Sequence, residues 1–401
     1  MTISTVTFQN NALADIQALE TGISTTQNQL STGLQLQNAA DNPVAMSEVN
    51  QLNQQLSASQ QYVSNGSAAN TNLQLEEQAL TNATNLLQSA QSLATEANDG
   101  SLTATDRQDL ATQLQQQLAQ LVSIANSTDS NGNYLFSGQA SGTQPFAQSS
   151  GAVSYSGSDS VNQLEISAGQ FISAGDTGSS VFMNIPAGNG TFTTAAAAAN
   201  TGTASIDPGT VTDPSEWAAN SGTYTLSFTT PTPGQTQYQV TNAAGNTVTS
   251  GTYTSGDAIA FDGIQVTVSG TPAAGDQFTI APAGTASVFS TISGLITTLN
   301  STSLNSGQLA TQIGTAEQQL GNALNNFDNV QASVGARINA VSASQTSAQS
   351  QQTTLQSTVS QLSDTDYAAA TTQLSTQEIA LQAAEESYAS IAKLSLFNYL
   401  A

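Results

Sequence analysis

The sequence predicts an α+β multidomain fold in which long N- and C-terminal helices form coiled-coil or bundle layers around a β-rich central insertion. Three observations carry this. Eight apolar or small residues stand seven apart in the C-terminal part, Ile313, Leu320, Phe327, Val334, Val341, Ala348, Leu355 and Leu362. A heptad kept over that length makes a stripe along which one long helix lies against another. Apolar residues at helical spacing also fill the chain before Asn126, and after it the pattern changes to short alternating runs between Gly, Asn, Asp and Pro, the texture of strands and turns.

The first helix carries Leu13, Ile16, Ile23 and Leu30 on one stripe, then Leu34 and Leu36 lead into a polar break at Ala39-Ala40-Asp41-Asn42-Pro43. Asn42 suits a helix N-cap and Pro43 the first helical position, where its missing N–H costs nothing. The second helix continues through Val49, Leu52, Leu56, Val63, Leu73, Leu80 and Leu87 and ends at Asn98-Asp99-Gly100. A third, from Ser101 to Ala125, places Leu110, Leu114, Leu118, Leu121 and Ile124 on one face.

In the insertion, Tyr224, Leu226 and Phe228 share one face of a strand, as do Tyr238 and Val240, then Ile264, Val266 and Val268, then Phe278 and Ile280. The run Ala195 to Ala199 and the segment to Pro214 divide the insertion into lobes at 140–190 and 205–283.

From Val288 helical spacing returns and runs through the heptad column to Leu362. A second column, Leu309, Ala316, Ala323 and Val330, is broken by Arg337. A charge in a seam is costly unless its guanidinium reaches a carboxylate or snorkels to water. Arg337 is therefore expected to set helix register, with Ile313, Leu320, Phe327, Val334, Val341, Leu355 and Leu362, rather than to bind a ligand. Ser363-Asp364-Thr365-Asp366 interrupts the helix, and a shorter one follows with Leu374, Leu381 and Tyr388 at seven and Ile391 beside them.

The expected domains are thus terminal helices at 1–41 and 364–401, a helical bundle at 42–139 and 286–363, and a β-rich outer domain at 140–285. Ile16, Ile23, Leu30, Leu374, Leu381, Tyr388 and Ile391 form the expected assembly seam. Alone, the end helices are expected to be disordered, because their few apolar side chains do not offset the ordering of so many backbones. The seam residues lie outside 141–282, so the insertion is expected to be dispensable for assembly.

Composition narrows the function. Three Lys+Arg against 27 Asp+Glu give a net charge of -24 over 401 residues, which leaves no basic field for nucleic acid or anionic membranes. There is no Cys and no His, so thiol nucleophiles, disulfides, imidazole metal ligands and the commonest general base are all missing. An enzyme, a cofactor and a metal site are not expected. No run approaches a membrane span, and the first 30 residues lack the basic start and apolar core of a cleavable signal.

Five features have blander readings. Asp176-Thr177-Gly178-Ser179-Ser180 matches an aspartic-protease loop, but no second Asp loop exists, and a turn before a strand at Val181-Phe182 explains it. Asp129-Ser130-Asn131-Gly132-Asn133 resembles a calcium loop with Gly misplaced, and reads as a turn into a strand at Tyr134-Leu135-Phe136. Glu76-Glu77 and Glu385-Glu386 read as solvated helix faces. Trp217 reads as a packed anchor of the β lobe, with a glycan-binding surface as the alternative.

Local words match a family. Met1-Thr2-Ile3-Ser4-Thr5, Gln29-Leu30-Ser31-Thr32-Gly33, Asp41-Asn42-Pro43, Asn131-Gly132-Asn133-Tyr134-Leu135-Phe136-Ser137-Gly138, Thr143-Gln144-Pro145-Phe146, Val334-Gly335-Ala336-Arg337-Ile338-Asn339 and Leu394-Ser395-Leu396-Phe397-Asn398-Tyr399-Leu400 resemble the flagellin superfamily, and in it the hook-filament junction branch. Leu34-Gln35-Leu36 and Asn42 depart from its usual basic and acidic residues. The resemblance implies a structural component of the bacterial flagellum, outside the cell, exported unfolded by the type III apparatus without a cleaved signal. Its implied partners are other copies of itself, the first hook-associated protein, filament flagellin and an export chaperone. A filament flagellin and a secreted adhesin are the competing readings.

Overall fold

The computed structural model describes residues 5–149, 151–232 and 234–400, with side-chain burial from 7 to 390 apart from the same two gaps. Seven helices are described: α1 (Thr5–Thr32), α2 (Pro43–Ala97), α3 (Ala104–Ala125), α4 (Pro214–Asn220), α5 (Val288–Asn300), α6 (Ser306–Ser363) and α7 (Tyr367–Leu400). Their ends are set by local chemistry. Asn42 Oδ1 accepts from Ala45 N at 3.1 Å to start α2, and Thr103 and Asp106 cap α3 reciprocally. Between α5 and α6 the chain breaks where the heptad pattern suggested continuity. Asn305 Oδ1 takes Gln308 N at 2.8 Å while Gln308 Oε1 takes Asn305 N at 3.1 Å, a fresh N-cap that starts a new helix.

Two compact units are present, 1–64 with 344–401, and 65–343. The division falls inside α2 and α6, not at the breaks near Asp41 and Asp364. In the first unit helices pack on helices alone. In the second the same helices share their core with the insertion.

In the first unit α1 pairs with α7, and both ends that were expected to be disordered are helical here, each supplying the neighbour the other lacks. Below the pair the two breaks are stitched together. Gln35 N donates to Ser363 O at 2.7 Å and Thr365 N to Gly33 O at 2.9 Å. Gly33 has φ +72, the left-handed residue that terminates α1, and a Cβ there would stand 3.1 Å from the Tyr367 hydroxyl. Asp41 Oδ2 accepts from Asn38 N and Gln37 N, which holds its carboxyl below the usual range.

In the second unit the described residues of the insertion form fifteen short strands: β1 (Phe146–Ser149), β2 (Ala152–Tyr155), β3 (Gln163–Ser167), β4 (Gln170–Ser173), β5 (Ile185–Pro186), β6 (Phe192–Ala196), β7 (Ser205–Ile206), β8 (Thr210–Val211), β9 (Tyr224–Thr232), β10 (Gln235–Asn242), β11 (Thr247–Thr252), β12 (Ala258–Phe261), β13 (Ile264–Ser269), β14 (Gln277–Pro282) and β15 (Thr285–Ala286). A five-stranded antiparallel sheet runs β11-β10-β9-β14-β6, and β12-β13-β7 with β8 makes a second. Tyr224, Leu226, Phe228, Val240, Ile264, Val266, Val268, Phe278 and Ile280 are buried together between them, as their alternation predicts. The run from Ala195 divides no lobes, because Ala195 and Ala196 belong to β6 and pair with Thr279 and Phe278.

The 140–190 stretch is not an outer lobe. Phe136, Phe146, Ile166, Val181 and Phe182 join the buried cluster of α2, α3, α5 and α6. Ring centroids lie 5.1 Å apart for Phe146 and Phe289 and 5.3 Å for Phe182 and Phe327. Val181-Phe182 sit in a single wide helical turn, Ser179–Met183, rather than a strand. Tyr134 makes one isolated bridge to Thr128, and turns follow it in place of the expected strand.

Phe192 and Pro282 are register partners, so the chain enters and leaves the sheet lobe at adjacent points. Replacing 192–282 by a short Gly/Ser linker is therefore expected to leave the helical core's cooperative unfolding intact. A deletion carried back to Ser141 removes Phe146 and Phe182 and is expected to abolish it. Calorimetry of both variants checks this, and equal behaviour of the two would contradict the shared core.

Candidate functional site

Two arrangements stand out, the α1–α7 pair and an ionic cluster between α2 and α6. On the pair, Ile16, Ile23 and Leu30 of α1 and Leu374, Leu381 and Tyr388 of α7 are all half-buried, and Ile391 lies outside the residues whose side chains are described. Small and polar groups sew the helices together. Thr26 Oγ1 donates to Gln377 Oε1 at 3.0 Å, and a Cβ on Gly22 would stand 3.0 Å from Gln377 Nε2. Phe8, Leu13 and Ile379 remain 45%, 47% and 67% exposed, apolar area that another chain can cover.

On α6, Ile313, Leu320, Phe327, Val334 and Val341 are fully buried, Leu355 nearly so, and Leu362 half-buried at the end of the column. Arg337 projects from this helix and forms an ion pair with Asp176. Its Nη1 donates to the carbonyls of Ser173 and Gly175, each at 3.3 Å, and its Nε to Ser333 O at 3.4 Å. From the other side, Glu76 Oε1 accepts the Asp176 backbone N–H at 3.1 Å. The loop Ser173–Asp176 is thus held between Glu76 on α2 and Arg337 on α6.

Glu76 is not on a solvated face, as the sequence suggested. It is 1% exposed. Burial, with the Asp176 charge adding to it and Arg337 opposing, pushes its carboxyl up to about 8. A signal for this existed in the sequence. Glu76 follows Leu73 by three and precedes Leu80 by four, the spacing of the seam itself, whereas Glu77 is exposed.

Asp176 is committed to Arg337 rather than to a second Asp-Thr-Gly or Asp-Ser-Gly loop, and the motif is a turn that leads into the helical turn at Ser179–Met183. The Asp129 carboxylate is consumed by its own turn, accepting from Asn131 N and Asn133 N at 2.8 Å. Among the described residues no group of three or more His, Cys, Asp or Glu gathers to hold a metal. Trp217 is buried, with its ring 5.6 Å from Phe192 and 6.1 Å from Tyr224, which removes it as a glycan platform.

Residues 3–141 match the bacterial flagellin N-terminal helical region, and 317–400 the C-terminal helical region. Residues 195–282 match the D2-like domain of flagellar hook-associated protein 1. The crystal structure of flagellar hook associated protein-3 from Legionella pneumophila is similar with a TM-score of 0.74 and 32% identity, over 78% of this chain and 98% of that one. The chain belongs to the flagellar hook-associated protein 3 family. FlgL of Xanthomonas campestris is similar at 33% identity with a TM-score of 0.71, over 77% and 99% of the two chains. Flagellar hook-associated protein 3 of Salmonella typhimurium is 36% identical over 157 residues, 39% of this chain and 49% of that one, so the match spans about half the curated relative's length. In this chain Arg337, within Val334-Gly335-Ala336-Arg337-Ile338-Asn339, pins the 173–176 loop.

Arg337→Met leaves Asp176 unpaired and is expected to cost about 2–4 kcal/mol, below the full range for a broken buried pair because the side chains are 14% and 26% exposed. Adding Asp176→Asn should restore part of the loss. Denaturant unfolding of the four proteins of this double-mutant cycle measures the coupling. A cycle in which the two losses simply add would mean that the pair does not hold the loop.

Proposed function

We propose that this chain is a structural, non-enzymatic component of the bacterial flagellum, located outside the cell, that joins hook to filament. The observation that carries this reading is the likeness to flagellar hook associated protein-3 across 98% of that chain. In this role α1 and α7 line the inner tube, the α2, α3, α5 and α6 helices form a middle layer, and the sheets of the insertion face outward. The chain polymerises through Ile16, Ile23, Leu30, Leu374, Leu381, Tyr388 and Ile391. Its partners are further copies of itself in a ring, the first hook-associated protein, filament flagellin and an export chaperone at the C-terminal helix.

Physical chemistry supports an assembly role for the pair. Two helices that bury a stripe only halfway retain apolar area that further helices can remove from water, a gain of roughly 25 cal/mol per Å². With so few charged side chains, contacts between copies rest on apolar burial and neutral hydrogen bonds.

Truncation after Asp364 is expected to abolish motility and filament attachment while the 65–343 unit keeps its melting temperature. Helix content should fall by no more than α1 and α7 together account for. Circular dichroism, calorimetry and a swimming assay read these separately, and loss of the 65–343 transition would place α7 in the fold rather than in assembly.

Assembled junctions should also persist from about 0.05 to 1 M NaCl, across which the screening length falls severalfold. Sedimentation of isolated hook-filament junctions checks this, and dissociation at high salt would mean that ion pairs carry the contacts. Micrographs of long filaments formed by the purified chain, in place of short rings, would favour a filament flagellin.

A further inference from the structure

Glu76 is the carboxylate among the buried polar atoms that lack a partner. Its Oε1 is used by the Asp176 amide, while its Oε2 has no hydrogen bond. A cavity of about 140 Å³ opens beside it, lined also by Asn72, Asp129, Tyr134, Asn162 and Asp176. The charged and titratable groups facing Glu76 are Asp176 from its loop, Arg337 from α6, and Asp129 and Tyr134 from the adjoining turn. The one cation among them is spent elsewhere, on the Asp176 carboxylate and on the carbonyls of Ser173, Gly175 and Ser333. A buried carboxylate with a second carboxylate beside it and no cation of its own is costly to ionise. No metal-binding cluster gathers among the described residues, so the cation that fits Oε2 is a proton.

We propose that Glu76 is a proton-binding site built into the fold, and that releasing its proton loosens the loop Ser173–Asp176 from its place between α2 and α6. The neutral carboxyl keeps Oε1 as acceptor for the Asp176 amide and carries its proton beside the Asp176 carboxylate. Ionised, it places two carboxylates against a single guanidinium, and their repulsion falls on the loop that joins them. The inference stands on the cluster alone and is independent of the flagellar role.

The direction follows from linkage. The folded-state carboxyl titrates at about 8 against an ordinary 4.5. Between those values the native state binds more protons than the unfolded chain, so this contribution is complete below about 4.5 and is lost as pH rises through about 8. Each pH unit in that window lowers the folding constant by up to about tenfold. The exposed aspartates held below their ordinary range, Asp41, Asp99 and Asp106, act in the opposite direction at lower pH and are common to wild type and variant.

The experiment is carbon-13 NMR titration of the glutamate carboxyls in the full chain, with denaturant unfolding of wild type and Glu76→Gln from about pH 5 to 8. One carboxyl resonance is expected to titrate near the upper end of that range and to be absent from Glu76→Gln. The ratio of wild-type to variant folding constants is expected to fall by more than about tenfold across the series. Titration of every glutamate in the ordinary carboxylate range, or a ratio that does not change with pH, overturns the proposal. Should Glu76→Gln fail to fold, the wild-type titration decides alone.

Discussion

Burial of the α6 column is the interaction on which the rest of the second unit depends. Ile313, Leu320, Phe327, Val334 and Val341 are removed from water completely, and the cores of α2, α3 and α5 and of the first part of the insertion close over the same stripe. Because the stripe recurs every seven residues, each element that packs on it inherits a defined height along the helix. Phe182 meets Phe327, Asn326 Nδ2 reaches the carbonyls of Ser180 and Val181, and Asn322 Nδ2 those of Pro186 and Gly188. Irregular chain thereby finds fixed hydrogen-bond partners on a regular helix.

Electrostatics acts here by scarcity. A surface of Ser, Thr, Asn and Gln leaves few cations to compensate buried acids, and Arg337 is spent on the 173–176 loop and on Ser333 of its own helix. Glu76 is left beside the pair without a counter-charge, so a proton takes that place.

The two units manage their apolar surface differently. In 65–343 the heptad stripe is closed by aromatic side chains from the insertion, whose rings interlock edge to face at Phe136, Phe146 and Phe182. In 1–64 with 344–401 the contacts are small, among them Ser59 Oγ donating to Ala348 O at 3.1 Å and Thr26 to Gln377. Small contacts allow close approach of the helices and leave apolar edges such as Phe8, Leu13 and Ile379 uncovered.

The helices, the polar breaks at Asn42 and Asp364, the sheet face of Tyr224, Leu226 and Phe228 and the character of the heptad seam were legible in the sequence, because each is set by residues within one or two turns or by alternation along one strand. Tertiary structure alone decided three things. The rings between Phe136 and Phe182 close the helical core instead of forming an outer lobe, since a short apolar run carries no information about which surface it meets. The helix breaks between Asn300 and Ser306, where a cap at Asn305 overrides a pattern that spacing alone reads as continuous. The partner of Glu76 is a loop 100 residues away; seam spacing places this carboxylate among the buried positions, but the groups that surround a charge come from parts of the chain that only folding brings together.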